Sequence, residues 1–189
     1  MANNSAVKQI KVPLTDEAVT SLHVGDEVEI SGEIFVARDA AHKRFNTALD
    51  KGEALPIDLR GQILYYMGPT PAPEGRAIGS AGPTTAGRID VYTPRLLSLG
   101  LKGMIGKGNR SCEVRDAMQQ YHAVYFVAIG GAGALLSQYI QASEVVAFAE
   151  LGAEAVRKLR VENFPAIVAN DIYGDDIFEA GKQQYRRAV

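Results

Sequence analysis

Residues Gly103 to Gly130, GMIGKGNRSCEVRDAMQQYHAVYFVAIG, hold the pattern that decides the fold class. Gly103 to Ile105 reads as a short strand running into the turn GKGNRS, and Ser111 is placed to cap a helix through about Tyr121. AVYFVAIG (123–130) then has the unbroken apolar run of the most buried strand in the chain. A strand, a helix and a second strand in direct succession mark an α/β domain.

Working outward, IGGAGALL supplies a glycine turn and opens a helix over ALLSQYIQ (134–141). ELGAEAVRKLR (150–160) is expected to be a further amphipathic helix, and PAIVANDIYGDDIFE (165–179) a strand, a turn over Asp171 to Asp175 and a returning strand. Upstream, TPRLLSLG reads as a helix capped by Thr93, with Pro94 in its first turn and Gly100 as its stop. Gln62 to Met67 is a strand leading into GPTPAPEGRAIGSAGP, a long proline- and glycine-rich loop. Asp39 to Leu49 has helix formers and an acidic start, so Arg38 falls where a strand hands over to a helix N-terminus. In DEVEISGEIFVAR the alternation of Val28 and Ile30 with Glu27 and Glu29, followed by Ser31-Gly32, predicts a hairpin ending at Arg38. Thr15 caps a short helix to Leu22, with Asp16 and Glu17 in its first turn. The strands early in the chain and the later alternation make this a mixed α/β domain rather than a regular doubly wound sheet.

Bulk properties narrow the function. The 189 residues are 47% hydrophobic and 22% charged, enough for one substantial core, so residues 1–189 are expected to form a single domain. Twenty basic and 22 acidic residues leave a net charge of -2, which disfavours nucleic acid and anionic membranes as partners. The most apolar stretch, Ala123 to Leu136, is broken by Gly130, Gly131 and Gly133 and is too short to cross a bilayer. MANNSAVKQIKVPL has neither an apolar signal core nor an Arg-rich leader, so a cytoplasmic location is expected. A single cysteine, Cys112, excludes an internal disulfide and a cysteine-only metal site. If iron takes part, another chain holds it.

Three short segments concentrate cations and backbone amides at element junctions: ARDAAHKR around Arg38, GPTTAGR (82–88) and GKGNRS (106–111). Each alone is an ordinary surface turn or helix start, but together they suggest a site for an anion. Two phosphate motifs are rejected. A Walker loop ending at Gly106-Lys107 needs Gly at 101 and Ser or Thr at 108, where the chain has Leu101 and Gly108. A dinucleotide fingerprint starting at Gly131 and Gly133 needs a third glycine where Leu136 stands, so close packing is the expected role of those glycines. Cys112 has no local context to activate its thiol towards His42 or His122, and neither His23 nor His122 has ligand spacing. No residue of this chain is expected to bind a metal. Asn109 and Arg110 are expected to steady the loop beside Lys107.

At GPTTAGRID, KGNRS, ARDAAHKR and IGGAGAL, and again at the closing FPAIVANDIYGDD, the chain resembles the β subunit, or equivalently the C-terminal domain, of class I fumarases. The resemblance implies a swivelling β/β/α domain, with a mixed sheet or barrel-like β core flanked by helices, that closes over a larger α subunit. In that family a four-iron four-sulfur cluster is held by three cysteines of the α part, and an assembly of two α and two β subunits is implied. Family roles carry over to Arg38, Arg88 and Lys107 as substrate-carboxylate ligands and to Thr84 as the proton-transfer residue, with Asp39, His42, Thr85, Asn109 and Arg110 in support. The implied reaction is reversible hydration of fumarate to (S)-malate. Its intermediate gathers extra negative charge on a carboxylate, which is why cations are needed there. Tartrate dehydratase β subunits look similar but diverge in the GPTTAGR and KGNRS loops, so fumarate is preferred over tartrate, while mesaconate or another methylated dicarboxylate stays open as an alternative because a single methyl changes discrimination by only about 1–3 kcal/mol. From another class, a non-catalytic dicarboxylate-binding module would use the same loops.

Overall fold

The computed structural model describes residues 6–186. Its strands are β1 (Lys8–Lys11), β2 (Glu27–Val36), β3 (Ile63–Tyr65), β4 (Gly103–Gly106), β5 (Val124–Val127), β6 (Ile140–Ala147) and β7 (Val156–Asn170). The helices are α1 (Asp16–Thr20), α2 (Asp39–Asp50), α3 (Thr93–Leu97), α4 (Cys112–Tyr121), α5 (Gly133–Leu136) and α6 (Ile177–Tyr185).

Strands β2, β3, β4 and β5 run parallel in that order, and the long antiparallel β7 pairs with both β5 and β2. The ring closes as a five-stranded barrel, with β1 added to β2 and β6 to β7. The α/β class and the barrel-like core flanked by helices are therefore as the sequence and the resemblance imply.

Alternation along each strand divides the apolar residues into two cores. Ile30, Ile34, Ile63, Tyr65, Ile105, Phe126, Leu159 and Phe164 fill the barrel. Leu64, Tyr66, Met104 and Tyr125 point outward and are covered by Phe45 of α2, Leu96 of α3 and Val114 and Met118 of α4. Full burial of each such side chain contributes about 1.5–3 kcal/mol. The capping expected at Thr15 and Ser111 is present, each hydroxyl accepting from the amide three residues on.

Five local expectations are corrected. Ser31-Gly32 does not reverse the chain: β2 continues through Gly32 (φ 128°), and the register shift opposite it takes its extra residue from β7, so the inward residues Val28, Ile30, Ile34 and Val36 of β2 keep one parity. ELGAEAVRKLR is not a helix. Ala149–Glu154 forms a 3-10 turn broken at Gly152 (φ 59°, ψ -115°), and β7 starts at Val156. Lys158 there lies 3.6 Å from Glu144 of β6 and 3.7 Å from Glu33 of β2, so the charged residues of this segment are cross-strand partners. ALLSQYIQ is helical only to Leu136, then makes a 3-10 turn and enters β6. The returning strand after Asp175 is instead α6, because Asp176 caps it by accepting from the amides of Phe178 and Glu179. Thr93 is not a cap: it sits inside the first turn of α3, fully buried, with Tyr92 at the cap position.

Candidate active site

The three cation-bearing segments all leave the C-terminal ends of the parallel strands, the edge where open α/β sheets place their ligands. Arg38 follows β2 and caps α2, the GPTTAGR loop returns to the end of β3, and Lys107 follows β4. Backbone pairing sets their spacing. The Thr84 amide donates to the Tyr66 carbonyl at 2.7 Å, Lys107 N–H to Thr84 O at 3.1 Å, and Ala86 N–H to Lys107 O at 2.9 Å. Thr84 and Thr85 thus lie between the extensions of β3 and β4. Arg88 ends the 3-10 turn Ala86–Arg88. Thr85, Arg88, Lys107 and Asn109 are exposed and Thr84 is half-buried, so a hydroxyl and two cations share an open rim.

Glycine permits this crowding. A Cβ on Gly106 would come 3.1–3.2 Å from Tyr66, Ala86 and the Tyr125 hydroxyl. One on Gly133 would come 2.8 Å from the Gly82 amide nitrogen, and the Ala81 amide donates to Gly133 O at 3.0 Å. IGGAGAL is therefore a packing motif, and what it packs against is the GPTT loop.

Arg110 fastens the rim from beneath. Its side chain is fully buried; Nε donates to Asp90 Oδ1 at 2.8 Å and Nη2 to Thr93 Oγ1 at 2.8 Å. Its guanidinium lies 5.4 and 5.0 Å from the Tyr66 and Tyr125 ring centres. Asp90 Oδ2 accepts from the Ser111 amide at 2.7 Å, and Tyr125 donates to Gly108 O at 3.0 Å. The GRID and KGNRS loops are locked together by this one buried charge and its carboxylate. Tyr66, Asp90 and Tyr125 were not singled out in the sequence, and Thr93 was read only as a helix cap; the acid two residues after Arg88 was the available signal.

Arg38 is held differently. Its Nη2 lies 3.6 Å from Asp39 Oδ2 and 3.5 Å from Glu154 Oε1, and Glu154 Oε2 accepts from the Ala40 amide at 2.8 Å. Glu154 thus places a carboxylate at the N-terminus of α2. Asp39 joins that ion cluster.

His42 lies behind the rim, fully buried. Its Nδ1 is 2.9 Å from Arg38 O, which only accepts, so Nδ1 carries the proton and Nε2 is left without a partner. Tyr66 and Phe45 pack on the ring. Burial pushes its pKa from 6.5 down to about 4, opposed by the bond to the Arg38 carbonyl and assisted by the positive charge of Arg110. Above about pH 6.5 the ring is neutral in folded and unfolded chains alike. As pH falls from there towards 4, the unfolded chain binds a proton that the folded chain refuses, and stability drops by roughly 3 kcal/mol across that window. Urea unfolding at several pH values is expected to show this slope in the wild type and its loss in His42→Phe; equal slopes would refute the assignment.

Cys112 is exposed at the first turn of α4, and His122 closes the opposite end of that helix, about 15 Å away, so they do not pair. His23 stacks on Tyr173. Among the described residues no three His, Cys, Asp or Glu side chains converge as metal ligands. Among the described residues Cys112 is the single cysteine, so they supply one thiolate where an iron-sulfur cluster takes several. A separate apolar groove of about 290 Å³, lined by Val28, Ile129, Leu135 and Pro165 among others, contains none of the candidate residues.

The family model for the fumarase C-terminus matches residues 1–181. The chain belongs to the fumarase C-terminus family. Among fumarase relatives, an aerobic class I fumarate hydratase of Salmonella typhimurium is 44% identical over 158 residues, covering 82% of this chain and 27% of the relative. Fumarate hydratase 2 of Leishmania major is 39% identical over 182 residues, covering 94% of this chain and 32% of the relative. The chain thus spans about a third of the length of these fumarases or less. A putative L(+)-tartrate dehydratase subunit beta of Methanocaldococcus jannaschii is 37% identical over 181 residues, covering 92% of this chain and 93% of that one. The matched stretch is thus a minor part of the fumarases and nearly the whole of the tartrate dehydratase subunit beta.

Proposed function

We propose that this chain is the β subunit of a class I fumarate hydratase and supplies one half of a site completed by a larger α subunit. The observation that carries the proposal is the backbone pairing of Thr84 and Thr85 with Lys107, which puts a hydroxyl and two cations on one open rim. Arg38 and Arg88 bind substrate carboxylates through their forked donors, and Lys107 adds a point charge that strengthens when closure excludes water. Thr84 moves the proton next to a carboxylate. A free hydroxyl is a poor base, so it needs a carboxylate or the field of the neighbouring cations, and a site between two subunits can provide both.

The four-iron four-sulfur cluster implied by the family resemblance is assigned in this reading to the α subunit, in an assembly of two α and two β chains. A cytoplasmic location belongs to the same proposal. Among the described residues no helix is long and apolar enough to cross a membrane.

L(+)-tartrate dehydratase is the second reading, favoured by the relative matched over nearly its full length. Comparing kcat/KM of the assembled enzyme on fumarate, mesaconate and L(+)-tartrate separates them. Fumarate is expected to be preferred. A higher value on tartrate would transfer the assignment, and a gap of about 10- to 200-fold between fumarate and mesaconate fits a pocket that discriminates a methyl by about 1–3 kcal/mol.

A further inference from the structure

Arg38 caps α2 without any side-chain capping bond of its own, and its Nε is buried with no hydrogen-bond partner. A long, flexible side chain so placed needs outside groups to fix its fork. Three surround it. Gly68 leaves a slot in which a Cβ would come 2.6 Å from Arg38 Nη1, Asp39 lies 3.6 Å from Nη2, and Glu154 lies 3.5 Å from the same nitrogen. Glu154 is the group with an independent anchor. Its other oxygen accepts from the Ala40 amide at 2.8 Å, and it ends the 3-10 turn Ala149–Glu154 just before β7 begins. One carboxylate therefore joins the barrel-closing strand, the N-terminus of α2 and the guanidinium of Arg38.

We infer that Glu154 is a positioning residue: it holds the Arg38 guanidinium against Gly68 so that the remaining face of the fork points to the substrate. The inference rests on the proposed role of Arg38 in carboxylate binding. Distances of 3.5 and 3.6 Å exceed those of close charge-assisted bonds, so Arg38 is steered rather than saturated and keeps donors for a third carboxylate. Asp39 alone cannot replace the clamp, because it moves with the helix that Arg38 begins.

The test has two readouts. The first is phenylglyoxal modification of the full chain, with Arg38 and Arg88 followed separately by peptide mass spectrometry. Glu154→Ala and Glu154→Gln are expected to raise the Arg38 rate several-fold and leave Arg88 unchanged, with the milder Gln variant keeping an acceptor for the Ala40 amide if the Ala variant folds poorly. Unchanged Arg38 reactivity in both would overturn the inference, whatever the enzyme does. The second is kcat/KM for fumarate in the assembled enzyme. Glu154→Ala is expected to lower it by about 10- to 100-fold, a typical result of a displaced substrate ligand, and to have no further effect in an Arg38→Ala background. An equal loss in both backgrounds would mean that Glu154 acts independently of Arg38. Loosened Arg38 together with an inactive wild-type assembly would instead refute fumarate hydration and leave the clamp standing.

Discussion

Replacing Thr84 with alanine is expected to lower turnover of the proposed fumarate hydratase assembly by about 10² to 10⁴-fold, the usual contribution of a positioned proton-transfer group. The frame should survive the change. Thr84 is fixed through its backbone, by the amide bond to Tyr66 O and the carbonyl bond from Lys107 N–H, and neither involves the hydroxyl. Thr84→Ser keeps the hydroxyl and is expected to retain most activity. Both variants should co-purify with the proposed α subunit to the same extent as the wild type. Wild-type turnover by Thr84→Ala in an intact complex would remove Thr84 from the proton-transfer step.

The largest stability effect is expected at Arg110. Its removal leaves the Asp90 carboxylate, which is 13% exposed, without its charge partner, and also strips a bond from the buried Thr93 hydroxyl. Breaking a buried pair from one side costs about 3–5 kcal/mol. Arg110→Ala should lose that much in urea unfolding. Arg110→Lys should lose less, since it keeps the charge but cannot span Asp90 and Thr93 with one fork. A loss under about 1 kcal/mol for the alanine variant would show that the two loops are held by packing alone.

These two residues differ in how legible they were. GPTTAGR and KGNRS carry turn chemistry and cations within a few residues, so local reading locates the rim. The helices α2 and α4 were equally plain, since each has an acidic or capping start and an apolar face. Barrel closure was not legible. Val156 and Leu159, three apart, mimic a helical face, yet in β7 that odd spacing sends them to opposite faces of the sheet, one into each core. Gly152 was the local warning, but the pairing that makes β7 a strand comes from β2, more than a hundred residues earlier in the chain. The same distance hides Glu154, whose partners Arg38 and Ala40 lie in α2 and its cap. His42 entered only as a supporting residue implied by the resemblance, four positions after Arg38. One helical turn places its ring beneath the rim, against Phe45 and Tyr66.

The arrangement also accounts for an open site. Lys107 and Asn109 follow β4, with the Lys107 backbone paired to Thr84 and Ala86, and Arg88 ends the 3-10 turn after Thr85; all three residues are exposed. In the proposed function such a rim would hold a dicarboxylate weakly while water screens its charges, and more strongly once the α subunit closes over it.

The most direct measurement is anaerobic malate formation from fumarate, comparing the isolated chain with the same chain mixed with a cluster-loaded α subunit. Activity in the mixture alone is the result expected of a divided hydratase site. Silence in the mixture, with complex formation and an intact cluster verified, would contradict fumarate as the substrate, and activity in the isolated chain would contradict the division of the site.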